Sequence, residues 1–571
     1  MTVARGLVIR RSVAFASLLI GAAAAAMIVS AAGPRFYSDD PISREPESRS
    51  AEGAKPLDIG LFYEYTHNLF VAARRPPSNT RAGNINTIDE VPDSSWFTNR
   101  IGAETLTPAQ VGRGGTSEAP PASEQWSVFR AKTVGTNPGF TARDASGRTW
   151  FLHFDSPDFP EGESGAIEVM TKLFWALGYN QVQTFITTFD PTRVLIESQL
   201  RIKRPSGEAT PATEDDINRV LKRAARSADG TYRVSASLQV PGRILGSFRY
   251  AGTRSDDPND LVPHEHRREL RALRVFGAWT NLVDWKGGNT LDALVQQDGR
   301  SIVKHYLQDV GSSLGMANEQ RHEWQMGWEY LYDPSASWRR LWSFGFALSP
   351  WQTVPYDASY PSIGLLEGDQ FDPAAWRPQT PVPPYIEMRA DDAFWAARRV
   401  IAFSDDLIRA AVHEGLYSDP AAERHLVSVL IKRRDAIGRT YLPAVNPIVS
   451  PRLDEGGTLS FDNAAVAAGF ANAPAEYKAE WSRFDNATAQ TTAIGETKSA
   501  STTLPGPSAL PNAVGSFVEV DISAESADHP SWRQPVRTYF RRDPEGWKLV
   551  GLERIPDSPV THAAGATEAK R

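Results

Sequence analysis

Ile167, Met170, Leu173, Phe174 and Leu177 recur at spacings of three and four, which sets them on one face of a helix that Gly178 would end. Leu270, Leu273 and Phe276 predict a second helix over 264–279, with Pro263 as its boundary. Shorter runs alternate with period two and read as strands: 126–134, 140–144 and 149–155, joined by turns at Gly135 to Gly139 and at Ser146-Gly147. The same pattern marks 232–240 and 243–250, split by Pro241-Gly242, and 290–296 and 301–308, joined at the hairpin dipeptide Asp298-Gly299.

Further along, 319–332, 391–414 and 420–441 carry helical periodicity, and a tryptophan, proline and tyrosine rich stretch that would cover a site runs between the first two, to about Arg389. Beyond Pro443 the pattern changes to short strands at 516–523, 536–542 and 547–552, with a serine, threonine and proline rich gap over 498–511. Ahead of the first strand, 59–73 predicts a helix. Residues 84–100 hold a loop of acids and aromatics, Asp89-Glu90 and Asp93-Ser94-Ser95-Trp96-Phe97, whose acids suit capping and turns, and 112–123 reads as a linker.

The chemistry concentrates at Asp284-Trp285-Lys286-Gly287-Gly288-Asn289 and Asp309-Val310-Gly311. The order is helix, Asp-x-Lys-x-x-Asn loop, hairpin, Asp-x-Gly, and upstream stand three strands, a glycine turn and a helix bearing Glu168. In these features the chain resembles the protein-kinase-like phosphotransferases over about 126–442. It departs from ordinary protein kinases in having His153 where the third strand carries lysine, no His-Arg before Asp284, valine in Asp-x-Gly, only two glycines in the turn and no Ala-Pro-Glu element. Those departures make it similar to the atypical spore-coat and toxin-type kinases, in an exported bacterial branch.

The resemblance implies an α+β fold with a two-lobed kinase-like core, to which the change of pattern after Pro443 adds a C-terminal antiparallel β domain. The chain then divides into a signal peptide or membrane anchor over 1–32, an extension and linker over 33–125, a small lobe over 126–260, a helical large lobe over 261–445 and the β domain over 446–571. It implies metal-dependent phosphoryl transfer from a nucleotide, with Asp284 as base and Lys286 as cation near the transferring group. Asn289 and Asp309 would hold magnesium, and His153, Glu168, Gly135 and Gly139 would contact ATP. The acceptor, a protein or an envelope polymer, is not readable. The same motifs also fit a pseudokinase that binds without catalysis. A carbohydrate-active enzyme is a third reading, from sixteen tryptophans and the acid pairs Asp256-Asp257 and Asp405-Asp406.

A hydrophobic fraction of 41% over 571 residues is enough for large cores, and a net charge of -7 gives no basic field for nucleic acid. Arg267, Arg268, Arg271 and Arg274 along one helix read as a solvated face. Arg5, Arg10 and Arg11 precede an apolar run over 13–32 that suits export, either cleaved after its small residues or kept as an inner-membrane anchor. The protein would then be periplasmic or extracellular, or anchored with its bulk outside the cytoplasm. The absence of cysteine excludes a disulfide framework.

Overall fold

The structure, a computed structural model, describes residues 33–71, 74–131, 138–204, 208–317 and 319–555. The segment over 1–32 and Gly135 lie outside these. No helix among the described residues is long and apolar enough to cross a membrane.

The fold is α+β. A six-stranded sheet runs in the order Thr184–Phe189, Tyr232–Leu238, Thr149–Phe154, Gly139–Arg143, Trp126–Ala131, Val194–Ile196, antiparallel except for the last pair. Period-two alternation sends Trp150, Leu152 and Phe154 into a core with Trp126, Phe140 and Val234, and leaves His153 on the opposite face. On that face packs the helix Gly162–Leu177. Its first turn is tied to the sheet by Asp155, which accepts from the Ser164 N–H at 2.8 Å and hydroxyl at 2.6 Å. Its end is set by Gly178 at φ 119, where a side chain would overlap the Phe97 ring. All its residues but Trp175 are buried, so its polar face is enclosed as fully as the apolar one.

The strand expected over 243–250 does not complete this sheet. Arg243–Gly246 instead joins the hairpin Thr290–Gln297 and Arg300–Leu307 in a separate three-stranded sheet. The Pro241-Gly242 turn carries the chain across, with Gly242 at φ 89 lying too close to the Leu294 carbonyl for any side chain. Leu245 is thereby buried with Val303, Ala51 and Ala54. The hairpin turns at Asp298 and Gly299, both with positive φ, as an Asp-Gly dipeptide favours.

The helix Arg268–Thr280 packs on Ala390–Ile401 and Pro420–Tyr441. Its arginines are not a solvated face: Arg267, Arg268 and Arg271 are fully buried. Arg268 meets Asp89 at 2.9 Å, Asp391 at 3.0 Å and Asp392 at 2.9 Å, and Arg271 meets Asp392 at 3.0 Å. The acids expected to cap turns are the partners, Asp89 on Arg268 and Glu90 on Arg398. Burial of such charges is tolerated only with this degree of pairing.

Three expectations change, two of helices and one of a linker. Residues 319–332 form no helix; Gln320–Arg321 pairs with Met316–Ala317 instead, and the helix in this region is Pro334–Trp342, capped by Asp333. The expected helix over 391–414 is two, Ala390–Ile401 and Asp405–His413, because Ser404 caps the second. The linker stretch begins inside a helix, Pro108–Arg113, held by a Thr107 and Gln110 capping box.

Towards the C-terminus, Thr491–Ser499, Glu476–Phe484, Phe517–Glu525, Val536–Asp543 and Gly546–Glu553 form an antiparallel sheet. Trp481, Val520 and Phe540 belong to the same continuous core as Trp279 and Phe276 of the helices. Phe36 packs with Phe484 and Tyr539, so the extension begins as part of this sheet's far face.

Candidate phosphoryl-transfer site

The helix Arg268–Thr280 stops at Asn281, in the left-handed region at φ 54. The Asn281 side chain pins the exit, donating to His322 Nδ1 at 3.0 Å and accepting from Trp376 Nε1 at 2.8 Å. The chain then forms a closed loop. Lys286 Nζ contacts Asp284 Oδ2 at 2.6 Å, and Asn289 Nδ2 donates to the Asp284 carbonyl at 2.8 Å. Because the amide nitrogen of Asn289 is engaged, its oxygen is the atom left to face a ligand.

The hairpin returns the chain to this loop. The Asn289 carbonyl accepts from the N–H of Gln308 at 3.1 Å and of Asp309 at 3.3 Å, and the Val283 N–H donates to the Ser312 carbonyl at 3.2 Å. Asp309 Oδ1 accepts from the Gly311 N–H at 3.4 Å, which leaves the exposed Asp309 carboxylate at the mouth of the loop. Burial works to depress the Lys286 pKa, but the carboxylates of Asp284 and Asp309 outweigh it and hold the ammonium above its ordinary value. Asp284, Lys286, Asn289 and Asp309 therefore share one electrostatic neighbourhood.

The remaining expected residues stand on the six-stranded sheet and its helix. His153 is half-buried on the helix-facing side, paired across the ladder with Gly139 and Ser235. Glu168 does not reach the loop. It is buried against Lys172 at 2.7 Å, with burial pushing its pKa up and Lys172 drawing it down. Glu163, five residues earlier and so about 140° round the helix, is the carboxylate that faces the Asp-x-Gly turn. A side chain built at Gly311 would lie 3.5 Å from Glu163 Oε1. Helical phase alone separates the two, and it was readable from the sequence once the helix start at Gly162 was known.

A second missed contributor is the helix Leu61–Phe70, which lies across the loop. Glu64 Oε2 accepts from the Gly287 N–H at 3.2 Å, and Leu61 packs on Gly288. Burial and then the charge of Asp284 push the Tyr65 hydroxyl up, with Lys286 drawing it back, which sets Tyr65 beside the pair. No sequence motif marks this helix as part of the site.

Two carboxylates and an amide oxygen are hard donors of the kind magnesium and manganese take, and both ions commonly complete their shell with phosphates and water. Among the described residues no three of His, Cys, Asp or Glu gather into a ready-made cage; the donors the sequence reading names here are Asn289 and Asp309. The acid pairs of the carbohydrate reading are engaged elsewhere. Asp256 accepts from the Lys55 N–H at 2.8 Å and pairs with Arg254, while Asp405 pairs with Arg434 at 2.7 Å and Asp406 with Arg409. Six tryptophans rank among the largest fully buried side chains, so core packing accounts for much of that count.

No protein-family model matches the sequence, and no curated protein does. Among solved structures the chain is similar to the Golgi casein kinase, at 12% identity and a TM-score of 0.27, over 71% of this chain and 97% of that one. The same kinase with Mn and ADP bound gives 12% identity and a TM-score of 0.28, over 70% and 94%. At that level of likeness the functional reading has to stand on the geometry of the loop and Asp309.

Proposed function

We propose that this protein is an exported, kinase-like phosphotransferase of the atypical branch, moving a phosphoryl group from ATP to an acceptor protein or envelope polymer. The single observation that carries the reading is the return of the hairpin to the loop, which puts Asp309 on the Asn289 carbonyl beside the Asp284 and Lys286 pair. Asp284 orients and accepts the proton of the acceptor hydroxyl, and Lys286, 2.6 Å from it, supplies positive charge at the transferring group. Asn289 and Asp309 would hold a magnesium ion, which would supply positive charge against the phosphate oxygens. Glu163 and His153 supply the wall on the sheet side. The apolar run over 13–32 delivers the protein to the periplasm or beyond, or keeps it on the inner membrane.

A second reading, a pseudokinase module that grips nucleotide without transferring phosphate, draws support from histidine at position 153 and from Glu168 being locked onto Lys172. One pair of measurements separates the two. Magnesium-dependent thermal stabilisation by ATP that vanishes in Asp309→Ala supports a nucleotide site; release of ADP with an acceptor extract, lost in Asp284→Ala, supports transfer. Stabilisation without transfer favours the module, and no stabilisation at any magnesium concentration removes both.

A further inference from the structure

Away from the loop, one part of the surface is apolar where water would meet it. Phe62, on the outward side of Leu61–Phe70, is 85% exposed, and Trp342, Phe344 and Phe346 are 77%, 90% and 89% exposed. The two stretches are continuous, since the rings of Phe70 and Tyr332 lie 4.9 Å apart and Asp333 then caps the helix Pro334–Trp342. Contiguous exposed apolar surface of this kind marks an interaction site.

Charge on this surface is mainly positive. Between Pro334 and Pro355 the chain has Arg339 and Arg340 and no acid, with Arg340 paired to Glu329, and Arg74 and Arg75 are exposed just past the Leu61–Phe70 helix, against Asp58 ahead of it. Glu64, the one acid on that helix, is turned inward to Gly287. The shape is a projection: Phe344 and Gly345 both have positive φ, at 51° and 84°, so Phe344 and Phe346 stand out on a tight turn after the helix.

We infer that this face docks on a membrane surface rich in anionic headgroups. Protruding phenylalanine, tryptophan and leucine side chains enter the headgroup boundary of a bilayer, and flanking arginines pair with lipid phosphates. Where the apolar run over 13–32 is kept as an anchor, one of the two readings of that segment, it holds this face near a bilayer. The inward side of the Leu61–Phe70 helix rests on Gly287 and Gly288, so docking sets the Asp284 loop next to the lipid surface. This placement holds whether or not the loop transfers phosphate.

The natural chain has no cysteine, which allows single-site labelling of the full-length protein. An environment-sensitive fluorophore is placed at Phe344→Cys, with Val514→Cys, 66% exposed on another part of the surface, as control. The proteins are reconstituted into vesicles of phosphatidylcholine with and without phosphatidylglycerol. The expected result is a blue shift and several-fold protection from iodide at position 344 and not at 514, in the anionic vesicles, diminished when Arg74, Arg75 and Arg339 are changed together to glutamate. Equal exposure of the two labels in vesicles overturns the inference. So does protection of position 344 that follows protein concentration without lipid, which would assign the face to a second copy. Protection that is the same in neutral vesicles overturns the anionic requirement.

Discussion

Replacing Arg268 by alanine tests the buried charge cluster that holds the helix Arg268–Thr280 in place. The side chain is fully buried and meets Asp89, Asp391 and Asp392 at 2.9, 3.0 and 2.9 Å. Truncation leaves those carboxylates buried, with Arg271 still on Asp392 and Arg81 on Asp89. Removing one partner of a buried ion pair costs about 3–5 kcal/mol, whereas an exposed pair costs about 0–1 kcal/mol. The partial cover from Arg271 and Arg81 favours the lower part of the first range at neutral pH. The pH dependence has a definite sign. For Asp89, burial raises the pKa but Arg268 and its neighbours outweigh it, so its folded pKa lies below the unfolded value. Its stabilising contribution is therefore present above the unfolded pKa and is lost as pH falls through the folded one. In the variant the same carboxylates lack their main cation, so the deficit relative to the natural protein should be largest near pH 7 and shrink towards pH 4. Urea unfolding followed by tryptophan fluorescence at several pH values reads this directly. A loss below about 1 kcal/mol, flat with pH, is what a solvated arginine would give, and it would refute the buried cluster.

Other consequences are checkable with single variants. At Gly287 an added Cβ would overlap Glu64 Oε2 and Ile59 Cδ1; Gly287→Ala should loosen the Leu61–Phe70 helix and speed proteolysis there, at a cost of about 1–3 kcal/mol, and unchanged cleavage would argue against a helix resting on the loop. Burial pushes the His322 pKa down to about 3, so this group should remove roughly 1.4 kcal/mol of stability per pH unit as pH falls below about 6.5. His322→Gln should flatten that part of the stability curve, and an unaltered slope would show that the ring titrates freely. Glu163→Gln should weaken magnesium-dependent ATP binding about 10-fold, about 1.4 kcal/mol, while Glu168→Gln leaves it within about 2-fold; the reverse order would return the role to Glu168.

The parts of the fold legible in the sequence are those written in local chemistry. The Asp298-Gly299 hairpin, the helix stop at Gly178 and the strand alternation around Trp150 each depend on residues a few positions apart. The convergence of the loop with Asp309 was legible because the hairpin between them has a defined length. What escaped depends on partners distant in sequence. The arginines of Arg268–Thr280 resemble a solvated face until Asp89 and the start of the Ala390–Ile401 helix are brought onto them. Arg243–Gly246 has the pattern of a strand but nothing local says which sheet it joins. The choice between Glu163 and Glu168 turned on helical phase, and the Leu61–Phe70 helix carries no motif that would place it on the loop.

The claim on which the account depends is that Asn289 and Asp309 serve one cation bound to nucleotide phosphate. Calorimetric titration of manganese-ATP into the natural protein, Asn289→Ala, Asp309→Ala and the double variant measures it as a double-mutant cycle. The account predicts that each single change weakens binding about 10-fold or more and that the double change loses clearly less than the product of the two, since the site is already broken. Affinities unchanged by either substitution, or losses that multiply as if the residues were independent, would contradict it.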